Sequence, residues 1–331
     1  MTVMYINKQG SLLKYSNKNL IVEYQGQKLE KIPLMYINKV LVFGNIQVTS
    51  QTLSMLLENG IDLSFFSYKG KLRGGLSSLK SKNIYLRLAH FERFNDKKFR
   101  INLIKQVVRA KLSNQLAIIK KYQSNYPLID LDVKSQINTL EKVIEEIYNR
   151  FEVDELMGLE GAGSAAYFKF FSKVVKGDFI FDGRKYYPSP DPVNAMLSLG
   201  YVMITNEIAS LLEASSFDPF LGFFHGIRYG RQSLPLDLVE EFRQPIIDLF
   251  TLKLINKKVF SKDDFEYHND GSCYFLEDSL KKYFSKYEDL MCESVKDINQ
   301  EEKTWRDFFK RQVERFSDSL INDAIYQPFL I

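Results

Sequence analysis

The spacing of the apolar residues changes once along this chain, near residue 80, and this change limits the folds it can adopt. Up to that point apolar residues occur in short bursts, as in NLIVEYQG and DLSFFSYKG, separated by Asn-Lys, Gln-Gly and Lys-Gly pairs. Bursts of this length, rich in Val, Ile, Tyr and Phe, are typical of strands joined by tight turns. The stretch 49–60, TSQTLSMLLENG, instead has helical spacing between a Thr or Ser cap and a terminal glycine. We therefore predict a small antiparallel β domain over residues 1–80, with one helix in it.

Beyond about residue 84 the apolar residues recur every three or four positions, which is the period of an amphipathic helix. A long basic helical region runs from Lys97 to Lys121, and Asp191-Pro192 begins another helix. Further helices are predicted at 134–150, 155–176, 191–214, 236–256, 275–291 and about 296–323. The predicted class is α+β: the β domain, residues 1–80, precedes a larger all-α domain, residues 81–331, with the boundary near 72–84.

The composition is that of a folded protein in a reducing compartment. The 331 residues are 45% hydrophobic, which is enough for a packed core and excludes a disordered chain. A net charge of +4 is too small to indicate a nucleic-acid partner by itself. Two cysteines, Cys273 and Cys292, are too few for a disulfide scaffold or a thiolate metal site, so a cytoplasmic location is expected.

No secretory or membrane-spanning segment is predicted. The first residues, MTVMYINKQG, lack the basic and then apolar composition of a signal peptide. The most apolar long run, 195–212, is interrupted by Asn206 and Glu207. We therefore expect a buried helix there and not a membrane span.

Three separated stretches carry residues that could close on one divalent metal ion. GLEGAG contains Glu160, GFFHGIRYG contains His225, and LDLVEEFRQP contains Asp237 and Glu240. Mg²⁺ prefers oxygen ligands and Mn²⁺ also accepts imidazole, so these side chains suit either ion. Asp237 and Glu240 are three residues apart in a predicted helix, which places both on one face. With basic residues close by in sequence, the group is typical of a site that handles phosphodiesters.

Each of these residues taken alone also has a structural explanation. A glutamate amid small residues, as at Glu160, is most often part of a helix-packing surface. His225 alone fits a partly buried histidine bonded to a backbone carbonyl, and Asp237 suits the dipole of a helix N-terminus. His90 and His268 lie in patterns that favour structural roles.

Three sequence blocks resemble those of the CRISPR-associated integrase family, the spacer-acquisition enzymes of prokaryotic adaptive immunity. The blocks are GLEGAGSAAYF, FDGRKYYPSPDPVNAMLSLGYVMI and DPFLGFFHGIRYGRQSLPLDLVEEFRQPIIDLF, in the family's order over residues 155–250. Over residues 1–80 the resemblance is architectural, since the family also has a β domain ahead of a helical catalytic domain.

The resemblance implies a catalytic metal site. The family's metal-binding glutamate matches Glu160, its histidine matches His225, and the acidic position of the LDLVEEFR block matches Glu240. Asp237 is a further acidic residue of the same pocket, and the implied ion is Mg²⁺ or Mn²⁺. Glu241 points about 100° away from Glu240 on a helix, so one of the two shares the face of Asp237.

The resemblance also implies an activity and partners. The family joins the 3′-hydroxyl ends of short spacer duplexes to a CRISPR repeat by transesterification. It forms a homodimer through the β domain, and two such dimers flank a dimer of a small CRISPR-associated partner protein. The candidate DNA-binding residues are Arg184, Arg228, Arg231 and Arg243, together with the basic helix, while Tyr186 and Tyr187 could stack on an unpaired base or pack in the interior. Solvated charges and internal ion pairs explain the basic residues equally well.

Other functions use the same residues. A metal-dependent nuclease acting on branched DNA would use water in place of the 3′-hydroxyl. A non-catalytic DNA-binding scaffold would retain the acidic pocket for structural reasons. A transposon-encoded relative would act on terminal inverted repeats and carry added DNA-binding domains.

Overall fold

The computed structural model describes residues 2–68, 70, 72–77, 83–125, 133–185 and 188–331. Tyr186 and Tyr187 lie outside the described residues, as do residues 78–82 at the expected domain boundary. The chain divides into two compact units. One consists of Met1–Ser81 and Tyr274–Asp289, and the other of Lys82–Cys273 and Leu290–Ile331.

The first unit is built from short strands and one helix. They are β1 Thr2–Ile6, β2 Leu12–Ser16, β3 Asn19–Tyr24, β4 Gln27–Pro33, β5 Ile37–Phe43, β6 Gln47–Val48, α1 Ser50–Glu58, β7 Asp62–Phe66 and β8 Leu72–Leu76. Within the described residues the strands form two four-stranded sheets, ordered β4-β3-β2-β6 and β1-β5-β7-β8. Apolar residues from both sheets and from α1, among them Leu13, Leu20, Val40 and Leu63, form one buried cluster.

Two-residue turns connect β2 to β3 and β3 to β4. Asn17 and Lys18 both have positive φ, 48° and 61°, and so do Gln25 and Gly26, at 49° and 78°. Positive φ at both central positions gives a turn whose twist matches that of paired strands. The Asn-Lys and Gln-Gly pairs therefore form the β-hairpin turns that the sequence pattern indicates.

The predicted class, a strand-rich N-terminal region followed by a larger helical one, is confirmed. The expected antiparallel pairing is present between β2 and β3, β3 and β4, and β7 and β8. It is not general, because β1 pairs with β5, β5 with β7 and β2 with β6 in parallel. Parallel neighbours need a crossover connection, and α1 supplies one between β5 and β7. Apolar bursts predict strands, but they do not indicate whether neighbouring strands pair in parallel or antiparallel.

The first unit also includes most of a helix that the sequence interpretation placed in the second domain. This helix is α9, Glu277–Cys292, of which residues up to Asp289 belong to the first unit. Its Phe284 ring lies 4.7 Å from the Tyr5 ring and 4.6 Å from the Phe43 ring, and Tyr5 Oη donates to Glu288 at 2.6 Å. Aromatic residues of β1 and β5 are thus packed against α9, a helix that lies more than 200 residues later in the chain.

The second unit is mainly helical. Its helices are α2 Ile84–Asn95, α3 Lys97–Asn125, α4 Lys134–Glu146, α5 Val153–Val174, α6 Pro192–Ala214, α7 Ser233–Val239, α8 Leu249–Asn256 and α10 Trp305–Ile321, with a π-helical segment at Arg243–Asp248. Short strands occur at β9 Phe265–Tyr267, β11 Ser294–Lys296 and β12 Glu302–Thr304, and the strand β10 Cys273–Phe275 has its first residue in this unit. The β11–β12 hairpin occupies the start of the predicted helix 296–323, which therefore begins at Trp305. The predicted helix 236–256 is divided, and Pro245 lies in its π-helical part.

Helix α6 runs through the interior of this unit. Asp191 caps it by accepting a hydrogen bond from the Asn194 amide at 2.8 Å, as the Asp-Pro signal predicts. Among the described residues α6 is the one helix long and apolar enough to cross a membrane, and 67% of its most apolar window is buried in the protein. Burial of this kind is expected for a core helix.

Candidate active site

Four predicted site residues come from two helices, α5 and α7, and from the loop that precedes α7. Glu160 lies on α5, His225 lies in the loop before α7, Asp237 lies within α7, and Glu240 follows its last residue. Glu240 and Asp237 are buried, whereas the Glu160 and His225 side chains are about one-fifth exposed. The structure brings all four together.

Asp237 organises the loop that carries His225. Its Oδ2 accepts the backbone amides of Phe223 and Phe224 at 2.5 and 3.0 Å, and its Oδ1 accepts the His225 amide at 2.9 Å. Oδ1 also lies 2.7 Å from Nδ1 of the His225 ring. Because a carboxylate only accepts, Nδ1 carries a proton, and in the neutral ring Nε2 keeps its lone pair. Asp237 thus contacts the side of the imidazole ring that carries Nδ1, and both of its oxygens already accept hydrogen bonds.

Glu240 faces the imidazole from the other side. One of its oxygens, Oε1, lies 3.7 Å from Nε2 of His225 and 3.3 Å from Nε of Arg243, while Oε2 lies 2.5 Å from Nζ of Lys111. Burial alone would raise the pKa of the Glu240 carboxyl. The charges of Arg243 and Lys111 outweigh burial and lower this pKa to about 2. Glu240 is therefore ionised at neutral pH and available to a cation.

Glu160 approaches the same point from α5. Its Oε1 pairs with Nζ of Lys111 and accepts a hydrogen bond from the Ser164 hydroxyl at 2.8 Å. A Cβ atom on Gly163 would lie 2.4 Å from a Leu112 methyl, so this glycine allows α5 to pack closely on α3. Gly161 is exposed with open space before it. Gly163 therefore serves helix packing, while Gly161 leaves the surface of α5 next to Glu160 open.

Lys111 is the residue that sequence reasoning missed. It lies within the predicted basic helical region Lys97–Lys121, yet its side chain is 9% exposed and contacts both Glu160 and Glu240. Burial alone would lower the pKa of its ammonium group, but the Glu240 and Glu160 charges outweigh burial, and the pKa is raised. A signal existed, because Lys111 follows the buried Ile104, Val107 and Val108 at helical spacing.

The donor set fits a divalent cation, with one condition. As they stand, no three His, Cys, Asp or Glu side chains among the described residues are arranged closely enough to hold an ion. Glu160 and Glu240 nevertheless converge on a single cation, the Lys111 ammonium, with Nε2 of His225 beside them. Two carboxylates and an imidazole are suitable ligands for Mg²⁺ or Mn²⁺. The residues therefore fit a metal if the ammonium withdraws.

Three of the four candidate DNA-binding arginines make internal contacts. Arg184 donates to Asn194 Oδ1 and Ser198 Oγ at 2.8 and 3.0 Å. Arg231 donates to Ser233 Oγ at 3.1 Å and to the His225 carbonyl, and Arg243 pairs with Glu240. Arg228 differs, because it is exposed in the loop 226–230 together with Ile227 and Tyr229.

The basic helix α3 also uses many of its charges within the protein. Lys97 pairs with Glu152 and Lys120 with Glu141, both at 2.6 Å, and Lys105 donates to the Tyr148 carbonyl at 3.0 Å. The alternative to DNA binding, in which a basic side chain makes a contact within the protein, therefore applies to Lys97, Lys105 and Lys120.

Glu241, the neighbour of Glu240, points into a different environment. It is buried and accepts hydrogen bonds from Tyr326 Oη at 2.6 Å, Gln312 Nε2 at 3.3 Å and the Phe329 amide. Burial raises the pKa of Glu241 to about 7. Glu240 shares the pocket of His225, whereas Glu241 holds the segment 326–329 in place.

The other two histidines have structural surroundings. His90 is buried, and its Nε2 lies 2.9 Å from the Leu221 carbonyl oxygen, to which it donates. Burial lowers the pKa of His90 to about 4. His268 lies 3.3 Å from Glu266 at the surface.

A further buried carboxylate, that of Asp248, lies in the π-helical segment, and no sequence motif indicated it. Asp248 accepts a hydrogen bond from the Tyr201 hydroxyl, and the guanidinium groups of Arg184 and Arg243 lie 5.3 and 5.0 Å from the Tyr201 ring. Burial raises the pKa of Asp248 to about 7. This cluster reaches the main site through Arg243, which also contacts Glu240.

Comparison of the sequence with known proteins finds one family over most of the chain. The family model described as "CRISPR associated protein Cas1" matches residues 4–289. A relative from Rhodospirillum rubrum, the "CRISPR-associated endonuclease Cas1 2", is 30% identical over 291 residues. That alignment covers 85% of this chain and 83% of the relative.

Solved structures share the fold. A casposase bound to integration product superposes with a TM-score of 0.85 at 21% identity, covering 98% of this chain and 92% of that chain. A chain of a Cas6-RT-Cas1–Cas2 complex gives 0.84 at 21% identity, covering 98% of this chain but 35% of that one. The present chain thus spans about a third of the length of that neighbour. Given the match to the family model and the Rhodospirillum rubrum relative, the chain belongs to the CRISPR-associated Cas1 family.

Proposed function

We propose that the chain is a divalent-metal-dependent DNA endonuclease and integrase of CRISPR adaptive immunity, acting in the cytoplasm. It joins the 3′-hydroxyl ends of short spacer duplexes to a CRISPR repeat by transesterification. The observation that carries the proposal is the convergence of Glu160 and Glu240 on one point beside Nε2 of His225. Two similar proteins support the proposal. The Rhodospirillum rubrum relative is named an endonuclease, and one structural neighbour is a casposase bound to integration product.

The chain's own residues have distinct roles in this proposal. Glu160, His225 and Glu240 would hold Mg²⁺ or Mn²⁺, and a bound divalent ion stabilises negative charge that develops on the attacking and leaving oxygens. Asp237 positions the ring through Nδ1 and so presents Nε2 to the pocket. No protein nucleophile is needed, because the attacking hydroxyl belongs to the spacer DNA.

The proposal includes contacts with DNA and with other protein chains. Arg228 is the best-placed of the four arginines for a phosphate, because it is exposed three residues after His225. We further propose a homodimer formed through the β unit and a small partner protein that bridges two such dimers. Support for the partner is that one structural neighbour belongs to a complex with Cas2.

Strand joining by the purified chain tests the proposed reaction. A labelled short duplex with free 3′-hydroxyl ends is incubated with Mn²⁺, the partner protein and a supercoiled plasmid that carries the repeat. We expect covalent transfer of label to the plasmid, and a loss on the order of a hundredfold in Glu160→Gln. Glu145→Gln, an exposed glutamate on α4, is the matched control and should retain full joining.

Two results would contradict the proposal in different ways. Plasmid cleavage without transfer of label would indicate a nuclease that uses water. DNA binding with no reaction, unchanged in Glu160→Gln, would indicate a scaffold.

A further inference from the structure

A single buried ammonium group occupies the position where a catalytic cation belongs. Lys111 Nζ lies 2.5 Å from Glu240 Oε2 and closer still to Glu160 Oε1. The side chains of Lys111, Glu160 and Glu240 are 9%, 21% and 3% exposed. The ammonium therefore pairs with both carboxylates in a pocket largely shielded from water.

The fold fixes this arrangement from the α3 side. Residues on both sides of Lys111 in α3, Ala110 and Leu112, are buried, and Asn114 one turn later donates to the carbonyls of Glu241 and Phe329. The α3 backbone is thus held in place, whereas a lysine side chain has four methylene groups and can withdraw its charge without movement of the helix.

Two carboxylates that face one another in a shielded pocket repel unless a cation lies between them. Arg243 contacts Glu240, but among the described residues the ammonium of Lys111 is the one cationic group paired with Glu160. Without Lys111, the metal-free pocket would hold an uncompensated negative charge.

We infer that Lys111 is a resident counter-ion, which holds Glu160 and Glu240 in position before metal binds and competes with the divalent ion for the same place. This inference rests on the proposed metal-dependent function. A divalent ion and an ammonium group cannot occupy one point, and their like charges repel. Binding of the ion therefore requires Lys111 to withdraw, and the lysine sets the metal affinity as well as the stability of the empty site.

The test compares the full chain with Lys111→Met, which keeps an unbranched side chain close to the length of the lysine methylene chain and removes the charge. Mn²⁺ binding is measured by titration calorimetry, and thermal unfolding is measured in EDTA and in Mn²⁺. We expect Lys111→Met to bind Mn²⁺ at least about tenfold more tightly than the parent and to unfold at a lower temperature in EDTA. Its unfolding temperature should also rise more on addition of Mn²⁺ than that of the parent.

Two control variants separate charge from side-chain loss. Lys120→Met removes an exposed lysine of the same helix, whose partner is Glu141, and should leave Mn²⁺ affinity unchanged. Lys111→Arg keeps a cation in the pocket and should bind Mn²⁺ no more tightly than the parent. If Lys111→Met does not fold in EDTA, folding in Mn²⁺ supports the inference, and failure to fold in Mn²⁺ as well overturns it.

The outcomes distinguish this inference from the proposed function. Equal or weaker Mn²⁺ binding by Lys111→Met, with binding by the parent intact, overturns the role of Lys111 alone. Absence of Mn²⁺ binding in the parent and in every variant overturns the metal-dependent function, and the inference with it. Tighter binding that Glu160→Gln abolishes in the Lys111→Met background supports both.

Discussion

At the scale of single residues, neighbouring acidic positions have opposite electrostatic environments. Glu240 and Glu241 are both buried, yet the pKa of Glu240 is lowered to about 2 and that of Glu241 is raised to about 7. Arg243 and Lys111 contact Glu240, whereas the hydrogen-bond donors to Glu241 are neutral and the charge of Arg315 lowers its pKa least of the causes that act on it. The strength of the nearby positive charge therefore decides which of the two carboxylates is suited to bind a cation.

The first prediction concerns Asp237, which accepts three backbone amides and the His225 ring. Asp237→Asn removes the charge and one acceptor, so some of these buried donors lose their partner. We expect the free energy of unfolding to fall by about 2–4 kcal/mol, measured with urea in EDTA. Asp182→Asn, at an exposed aspartate, should have no effect.

Histidine tautomers offer an independent check of this role. Nitrogen NMR of the chain, which has three histidines, should show that the neutral ring of His225 has its proton on Nδ1 and none on Nε2. A parent chain with the opposite tautomer, or an Asp237→Asn variant of unchanged stability, would contradict the positioning role.

The second prediction follows from burial of Asp248, whose pKa is raised from 3.8 to about 7. Between these values the unfolded chain has released this proton while the folded chain retains it, so stability from this group falls as pH rises. Asp248→Asn cannot titrate. Its stability relative to the parent should therefore increase by up to about 1.4 kcal/mol per pH unit between pH 5 and 7 and level off above 7.

Urea unfolding of both chains at pH 5, 6, 7 and 8 measures this difference, in which contributions from other titrating groups cancel. Asp182→Asn serves again as the exposed control and should show no pH-dependent difference. A constant difference between Asp248→Asn and the parent would mean that Asp248 is ionised in the folded chain throughout this range.

At the scale of elements, the loop between His225 and α7 begins at the candidate site and extends to the protein surface, where residues 227–230 are exposed. Its base is held by Asp237 and by Arg231, which donates to the His225 carbonyl. Gly226 and Gly230, with φ of 64° and 72°, flank its exposed part. The backbone at both glycines lies in a region that side chains disfavour, so the loop conformation depends on them.

The third prediction is that Arg228 contacts a DNA phosphate. Arg228→Ala should weaken duplex binding for all sequences and reduce the slope of log affinity against log salt by about one. Fluorescence anisotropy over a range of salt concentrations measures both quantities. Lys142→Ala, an exposed charge on α4, should change neither, and an unchanged slope in Arg228→Ala would exclude the contact.

Local patterns predicted the elements better than they predicted the pairing between them. The caps at Thr49 and Asp191 and the turns at Asn17 and Gln25 depend on adjacent residues, so the sequence shows them. Strand direction and the placement of Tyr274–Asp289 depend on contacts between distant segments. Lys111 shows the same limit, because its partners lie 49 and 129 positions away, and a basic pattern alone does not distinguish a buried lysine from a solvated one.

At the scale of the whole molecule, the proposed homodimer requires an exposed apolar surface on the β unit. Large apolar side chains are exposed there, with Leu29, Met35 and Tyr36 at 49%, 80% and 56% exposure. Leu29 lies on β4, which is an edge strand of its sheet among the strands that the structure describes. Exposed apolar residues next to an unpaired strand edge are typical of surfaces that associate.

The fourth prediction is that Met35→Lys shifts the chain from dimer to monomer. A lysine in the contact must lose its hydration or leave the interface, and either effect disfavours association. Sedimentation velocity over a hundredfold range of concentration should show dissociation of the variant at concentrations where the parent stays dimeric. Ile180→Lys places the same charge on an exposed apolar residue of the helical unit and should leave the dimer intact. Equal dissociation of both variants would indicate a general effect of charge, and a parent that is monomeric throughout would exclude the proposed dimer.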